Sequence, residues 1–283
     1  MTWQVLILIS VVLYSVATLL QRVLLKEETS DSTTYLVFFQ VSTGLMLGVF
    51  GLLFGKLSFP DIKPLLPNIL LMMTLNGIGA ISQFKALKYV EASRYAVIFS
   101  VRVFVTILAS SFLLKEGLLA KQWLGTLLIV VGVVLVNIRS AKLSFSKKEG
   151  LALLSAVVFG LSNTNDRFLL KSFKVYPYIF LGYILPACFV VMLNPYTIRK
   201  MKVFLKWQLL KKLLLFSILF VISGLAFFSA LQLVDNSSKV IVINLTPVIL
   251  TVLLAAVFLK ERDNLLEKIL GAVLSFIGLL LVS

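Results

Sequence analysis

Apolar residues are concentrated along this chain in blocks of about twenty, the length at which a helix crosses the hydrocarbon core of a bilayer. Gly, Pro or clusters of charged residues separate the blocks, and the alternating pattern of a membrane β-barrel is absent. The pattern therefore predicts an all-α polytopic membrane protein with ten transmembrane helices. We place the spans at residues 3–22, 34–54, 68–88, 93–114, 120–138, 150–170, 177–194, 212–233, 238–259 and 265–282.

The second half of the chain repeats the first at an offset of 144 to 146 residues. Segments 14–26 and 159–171 both end in Arg, three apolar residues and Lys. We divide the chain into a first repeat at 1–140 and a second at 141–283, with five spans each. Because five is odd, the second repeat must enter the bilayer from the opposite side, so the repeat is inverted. The glycines that match in the last span of each half are Gly125 with Gly271 and Gly132 with Gly278.

The matching segments also resemble a known family. In the first half they are Phe84-Lys-Ala-Leu-Lys-Tyr-Val-Glu-Ala-Ser93, Leu114-Lys-Glu116 and Gln122-Trp-Leu-Gly125. In the second half they are Ala230-Leu231, Thr246-Pro-Val248, Leu259-Lys-Glu261 and Leu270-Gly271.

These segments resemble an EamA-type domain, and the whole chain is similar to the drug/metabolite transporter superfamily. The resemblance implies ten helices in two such domains and the export or exchange of small metabolites, amino acids or drugs. One departure is visible in the fourth span, where Arg102-Val103-Phe104 stands in place of the family's Pro-containing motif, whereas the second half keeps Pro247.

Composition narrows the functional classes. Apolar residues make up 60% of the chain, charged residues 14%, and the mean hydropathy is +1.04. The net charge of +15 does not predict a nucleic-acid partner, because the Lys and Arg residues lie in short connections beside lipid headgroups. One Cys and no His exclude a Cys/His zinc site and Ser-His-Asp catalysis, so we expect no metal, no cofactor and no enzyme.

Arg102 is the most conspicuous polar residue within the spans, near mid-depth of the fourth. A central Arg costs about 2.5–3.5 kcal/mol to insert, so it should face a cavity or a partner. As a functional residue it would anchor a carboxylate or phosphate group of the solute. The alternative is a structural ion pair with Asp166, a residue that is also a candidate for ion coupling.

Other polar residues share helix faces and predict the walls of a cavity between the halves. In the first span Ser10, Tyr14 and Gln21 lie on one face, and in the sixth span Ser155, Ser162 and Asp166 do the same. The alternative for each residue is hydrogen bonding between helices. The further candidates for solute binding are Asn163 in the sixth span, Asn76 and Gln83 in the third, and Asn244 beside Pro247 in the ninth.

The leading hypothesis is a secondary transporter that works by alternating access, with solute between spans 1, 3, 4, 6, 8 and 9. A membrane enzyme and a non-transporting scaffold are the alternatives. Connections after odd-numbered spans hold 18 Lys and Arg against 8 after even-numbered ones, which places the odd connections in the cytoplasm. We expect a prokaryotic plasma membrane, lipids and a small-molecule solute as partners. The Gly stripe from Gly44 to Gly55 has two possible roles, helix packing within the chain or the formation of a homodimer.

Overall fold

The computed structural model describes residues 2–27, 31–114, 120–139, 142–143, 146–233 and 247–282. Its long helices are α1 Trp3–Glu27, α2 Ser32–Leu53, α3 Leu66–Tyr89, α6 Ala120–Asn137, α7 Lys147–Leu169, α8 Val175–Leu193, α10 Trp207–Leu233 and α12 Leu265–Val282. The shorter helices are α4 Ala92–Phe99, α5 Val101–Leu114, α9 Tyr196–Lys200 and α11 Pro247–Phe258, with 3-10 turns at Lys63–Leu65 and Met201–Leu205. Between α6 and α7, strand β1 Ile138–Arg139 pairs antiparallel with β2 Lys142–Leu143.

Each predicted span contains a helix. The fourth span is divided into α4 and α5, which meet at Ser100, and the ninth is described only from Pro247 onward. Within the described ranges, five stretches are long and apolar enough to cross a membrane, which confirms a polytopic α-helical membrane protein. They are Trp3–Lys26, Ser32–Leu53, Lys63–Tyr89, Val175–Leu193 and Trp207–Phe227, and two shorter apolar helices are Trp123–Leu135 and Pro247–Phe258.

The largest helix contacts join one helix from residues 1–140 to one from residues 141–283. Helix α1 packs against α10, α3 against α7, α2 against α8, and α6 against α12. Helix α4 likewise packs against α11. The largest contacts of the core therefore lie between the two predicted repeats.

Glycines allow two of these helix pairs to approach closely. A Cβ atom at Gly132 of α6 would lie within 3.0 Å of the Gly271 carbonyl oxygen of α12, and one at Gly278 equally close to the Gly125 carbonyl oxygen. On α2, a Cβ atom at Gly44 would meet the Ile184 side chain of α8. The predicted Gly stripe thus contributes to packing within the chain, because small residues bring the backbones of membrane helices together.

Candidate solute cavity and ionic cluster

A cavity of about 160 Å³ lies between α2, α3, α8 and α10. Leu47 is near the end of α2 and Tyr178 is in the first turn of α8, so the cavity lies toward the membrane side where α2 ends and α8 begins. Pockets for drug-sized ligands have volumes of about 300–1,000 Å³, so this cavity holds a smaller group. Its lining residues are Leu47, Asn76, Tyr178, Ile179, Gly182, Tyr183, Phe220, Val221 and Gly224.

A hydrogen-bonded network lies behind the cavity wall and connects α3, α7 and α8. The Ser162 hydroxyl is 2.7 Å from Asn76 Oδ1 and 3.3 Å from Asp166 Oδ1. The Tyr178 hydroxyl donates to the Asp166 carboxylate. Both ends of the network, Asn76 and Tyr178, line the cavity. The predicted residues Asn76, Ser162 and Asp166 are therefore brought together in one network.

The predicted polar face of α1 contacts α10. Ser10 Oγ lies 3.2 Å from Ser223 Oγ, and the Ser223 hydroxyl donates to the Ser10 carbonyl oxygen at 2.9 Å. The Tyr14 ring meets the edge of Phe220, with 5.7 Å between the ring centroids. Gln21 is only 1% exposed, and among the described residues its carboxamide has no hydrogen-bond partner. Ser10 and Tyr14 thus lie behind the α10 side of the cavity.

Arg102 lies outside the cavity lining. It is half-buried at the start of α5, and its guanidinium carbon lies 4.6 Å from the centroid of the Phe99 ring. The proposed ion pair of Arg102 with Asp166 is not formed, since Asp166 interacts with Ser162 and Tyr178 instead. Among the residues that the structure describes, no acidic side chain pairs with Arg102.

The other predicted site residues are divided among different places. The Asn163 amide donates to Thr106 Oγ1 at 3.3 Å, and Thr106 in turn bonds the Gly160 carbonyl oxygen at 2.9 Å, so both belong to the α5–α7 contact. Gln83 is half-buried on α3 away from the cavity lining. Asn244 lies outside the described residues.

A buried ionic cluster lies at the opposite membrane side, where α4, α7 and α12 begin. Arg94 contacts Glu91 Oε2 at 3.0 Å and Glu149 Oε1 at 3.2 Å. Lys268 Nζ is 2.9 Å from Glu91 Oε2. Arg94, Glu149 and Lys268 are at most 3% exposed, so these charges are well removed from water. We call these four residues the ionic cluster.

Glu261 adds a contact between the two halves beside the ionic cluster. Its carboxylate accepts the backbone N–H groups of Ala92 and Ser93, each at 3.1 Å, and the Ser93 hydroxyl at 2.8 Å. An acidic group is favourable there because it satisfies free N–H groups at the α4 N-terminus. Arg22 donates to the Leu87 carbonyl oxygen and lies in the field of Glu261.

Two residues of this arrangement are not among the predicted site residues. The Glu261 carboxylate binds the first residues of α4 in the other half. The Tyr178 side chain is 7% exposed and lines the cavity. The sequence signal for this part of the cavity is the spacing of Tyr178 and Gly182. It places an aromatic ring and a residue without a side chain on one face of α8.

Comparison with known proteins identifies the family to which this chain belongs. The model of the EamA-like transporter family matches residues 1–138 and again residues 147–283. The chain therefore belongs to the EamA-like transporter family, as the resemblance of its motifs implied, and carries two copies of the family's domain.

A solved structure described as "Crystal structure of protein" is similar in fold, with a TM-score of 0.68 and 15% sequence identity. The match covers 99% of this chain and 96% of the solved one, so the similarity extends over the whole fold. Comparison with curated proteins gave no match.

Proposed function

We propose that the protein is a secondary transporter that moves a small solute by alternating access between two inverted five-helix halves. The observation that carries this proposal is the pattern of helix contacts. If the first and second halves are exchanged, the α1–α10 contact becomes the α7–α3 contact, and both are among the largest. The same exchange turns the α5–α7 contact into the α11–α1 contact. It also turns the α3–α8 contact into the α10–α2 contact. Such symmetry is typical of secondary transporters built from repeats.

The direction of the contacting helices supports inversion of the halves. Along the α6–α12 contact, Gly125 meets Gly278 whereas Gly132 meets Gly271, so the two helices run antiparallel. These four glycines are also the ones that the repeat pairs with one another in sequence. Equivalent helices of opposite direction are what an inverted repeat requires.

The two membrane sides of the fold differ, as alternating access requires. The ionic cluster and Glu261 join α4 and α7 to α12 at one side, and the cavity lies toward the other. With the Lys- and Arg-rich connections in the cytoplasm of a prokaryotic cell, the ionic cluster closes the cytoplasmic side and the cavity faces outward. Movement of solute to the cytoplasmic side would require these ion pairs to separate.

Asp166 is the group that we propose for coupling to protons. Ser162 has one hydroxyl proton and two acceptors, Asn76 Oδ1 and Asp166 Oδ1, within 3.3 Å. The hydroxyl can satisfy only one of them at a time, and a proton on Asp166 would complete the network by donating to Ser162. Protonation would therefore change the hydrogen bonds directly behind the cavity wall.

Counterflow in proteoliposomes tests the transport function. Liposomes preloaded with one unlabelled amine, amino acid, organic acid or sugar are diluted into its labelled form, and labelled solute should accumulate for at least one class. The blocked variant is Gly224→Leu, because a Cβ atom there has nothing within 4 Å and the side chain would fill the cavity. The matched control is Gly150→Leu, since Gly150 is equally uncrowded and lies outside the cavity lining.

Wild type and Gly150→Leu should show counterflow, and Gly224→Leu should show only background accumulation. Equal counterflow in Gly224→Leu would place the transport route elsewhere. Folded, inserted protein without counterflow for any solute class would contradict a transporter and favour the scaffold or enzyme alternatives.

A further inference from the structure

We infer that the cavity binds a small organic cation, a solute whose positive charge is carried by nitrogen. The inference rests on the proposed transport function and names its solute class. The cavity supports it in three ways, through its aromatic wall, a carboxylate behind that wall and a size that restricts the ligand.

The cavity wall is aromatic and carries no charge of its own. Tyr178, Tyr183 and Phe220 are three of its nine lining residues, and none of the nine is basic or acidic. The faces of aromatic rings attract ammonium groups, most strongly where water is excluded. Asn76 is the remaining polar residue of the lining, and its carboxamide can accept or donate a hydrogen bond.

A negatively charged residue lies behind the wall. Asp166 is one hydrogen bond from the cavity through Tyr178. Ser162 lies between Asp166 and Asn76, with its hydroxyl oxygen within 3.3 Å of an oxygen atom of each. Within the described part of the chain, no Lys or Arg side chain forms an ion pair with Asp166. A half-buried carboxylate without a countercharge among the described residues is costly, and a cation in the cavity would reduce that cost.

An anion would find no such compensation in this cavity. Arg102, the basic residue predicted as an anion anchor, has its guanidinium over the Phe99 ring and does not line the cavity. Any anion in the cavity would instead face the Asp166 carboxylate across Tyr178. The charge distribution around the cavity therefore selects against carboxylates and phosphates.

The volume of the cavity limits the cation to a few heavy atoms. A cavity of about 150 Å³ holds a benzene-sized molecule, and this one measures about 160 Å³. Branched ammonium ions with about five heavy atoms fit this limit, whereas drug-sized cations require the cavity to widen.

Three probes test charge: tert-butylammonium, tert-butanol and pivalate. The first two have nearly equal shape and therefore separate charge from size, and pivalate, which is two heavy atoms larger, supplies the anion. Their dissociation constants for purified wild-type protein are measured by isothermal titration in detergent. We expect tert-butylammonium to bind at least about tenfold more tightly than tert-butanol, and pivalate not to bind. Equal affinities for the cation and the alcohol, or preferred binding of pivalate, would overturn the inference.

Variants then assign the preference to the cavity. Asp166→Asn should weaken tert-butylammonium by at least about tenfold and leave tert-butanol unchanged, whereas Asp263→Asn, an exposed acid, should change neither. If Asp166→Asn does not fold, Phe220→Leu replaces it, with a loss of about tenfold for the cation alone. An unchanged cation preference in the folded variant would overturn the inference.

Failure of this inference can be distinguished from failure of the transport proposal. Counterflow of an anionic or neutral solute that Gly224→Leu abolishes, together with no binding of tert-butylammonium, would keep the transporter and overturn the cation site. Binding of tert-butylammonium that Asp166→Asn abolishes, with no counterflow of any solute, would keep the cation site and contradict transport.

Discussion

If the protein works by the proposed alternating access, removing Lys268 from the ionic cluster should shift it toward the cytoplasm-facing conformation. Lys268 is fully buried, and its Nζ lies 2.9 Å from Glu91 Oε2 and 3.3 Å from the Glu261 carbonyl oxygen. The Lys268→Met variant keeps the length of the side chain and deletes the charge. Breaking a buried ion pair by removing one partner costs about 3–5 kcal/mol. Glu91 retains Arg94 at 3.0 Å, so we expect the lower end, about 3 kcal/mol.

The magnitude decides what an accessibility assay should show. About 3 kcal/mol corresponds to a change of roughly 150-fold in the ratio of the two conformations. In a Cys188→Ser background, a single thiol in Gly224→Cys reports exposure of the cavity to a membrane-impermeant maleimide applied outside. Lys268→Met should slow labelling strongly, whereas Lys202→Met, an exposed Lys on the same side, should not.

The double variant separates a conformational role from simple destabilisation. Combining Lys268→Met with Glu91→Gln also removes the carboxylate that lost its Lys268 partner, and should recover part of the labelling rate and of the melting temperature. Labelling that stays at the wild-type rate in Lys268→Met, while the melting temperature falls, would refute the role of the ionic cluster in closing the cytoplasmic side.

Three further changes test the packing of the fold. Gly132→Val should lower the free energy of unfolding by about 1–3 kcal/mol, because its Cβ atom would press on the α12 backbone at Gly271. The measurement is thermal unfolding, and the control is Gly150→Val, whose Cβ atom meets no atom within 4 Å. Equal melting temperatures of the two variants would contradict this prediction. Ser146→Ala removes the capping box at the start of α7 and should cost about 1 kcal/mol, seen as faster amide exchange in its first turn. Gln21→Met should be neutral or raise the melting temperature, since it replaces a buried carboxamide without described partners; a clear loss of stability would indicate a partner for that carboxamide.

The helices were predictable from the sequence because the membrane imposes a single length on apolar segments. The matching glycines were equally informative, since Gly125, Gly132, Gly271 and Gly278 recur in register and then meet in the α6–α12 contact. In both cases the signal is local or comes from comparing one half with the other.

The position of the cavity was not predictable, because it depends on how helices from the two halves turn toward each other. The predicted solute site lies among spans 1, 3, 4, 6, 8 and 9. The cavity shares α3 and α10 with that prediction and adds walls from α2 and α8, whose lining residues are Leu47, Tyr178, Ile179, Gly182 and Tyr183. The ionic cluster was missed for a related reason. The Lys and Arg residues are predicted to lie in short connections beside lipid headgroups, yet Lys268 is fully buried against Glu91, and Glu149 is 1% exposed.

The α6–α12 contact also bears on the ancestry of the chain. Its two glycine contacts are exchanged when the halves are exchanged, so each half presents the same patch to the other. A patch that matches itself is the kind that joins two identical subunits about a two-fold axis. A single five-helix gene product, inserted in both orientations, would already contain this interface. Duplication and fusion of the gene would place both sides of this interface in one chain. A bulky replacement of one glycine would then require a compensating substitution on the opposite helix of the same chain.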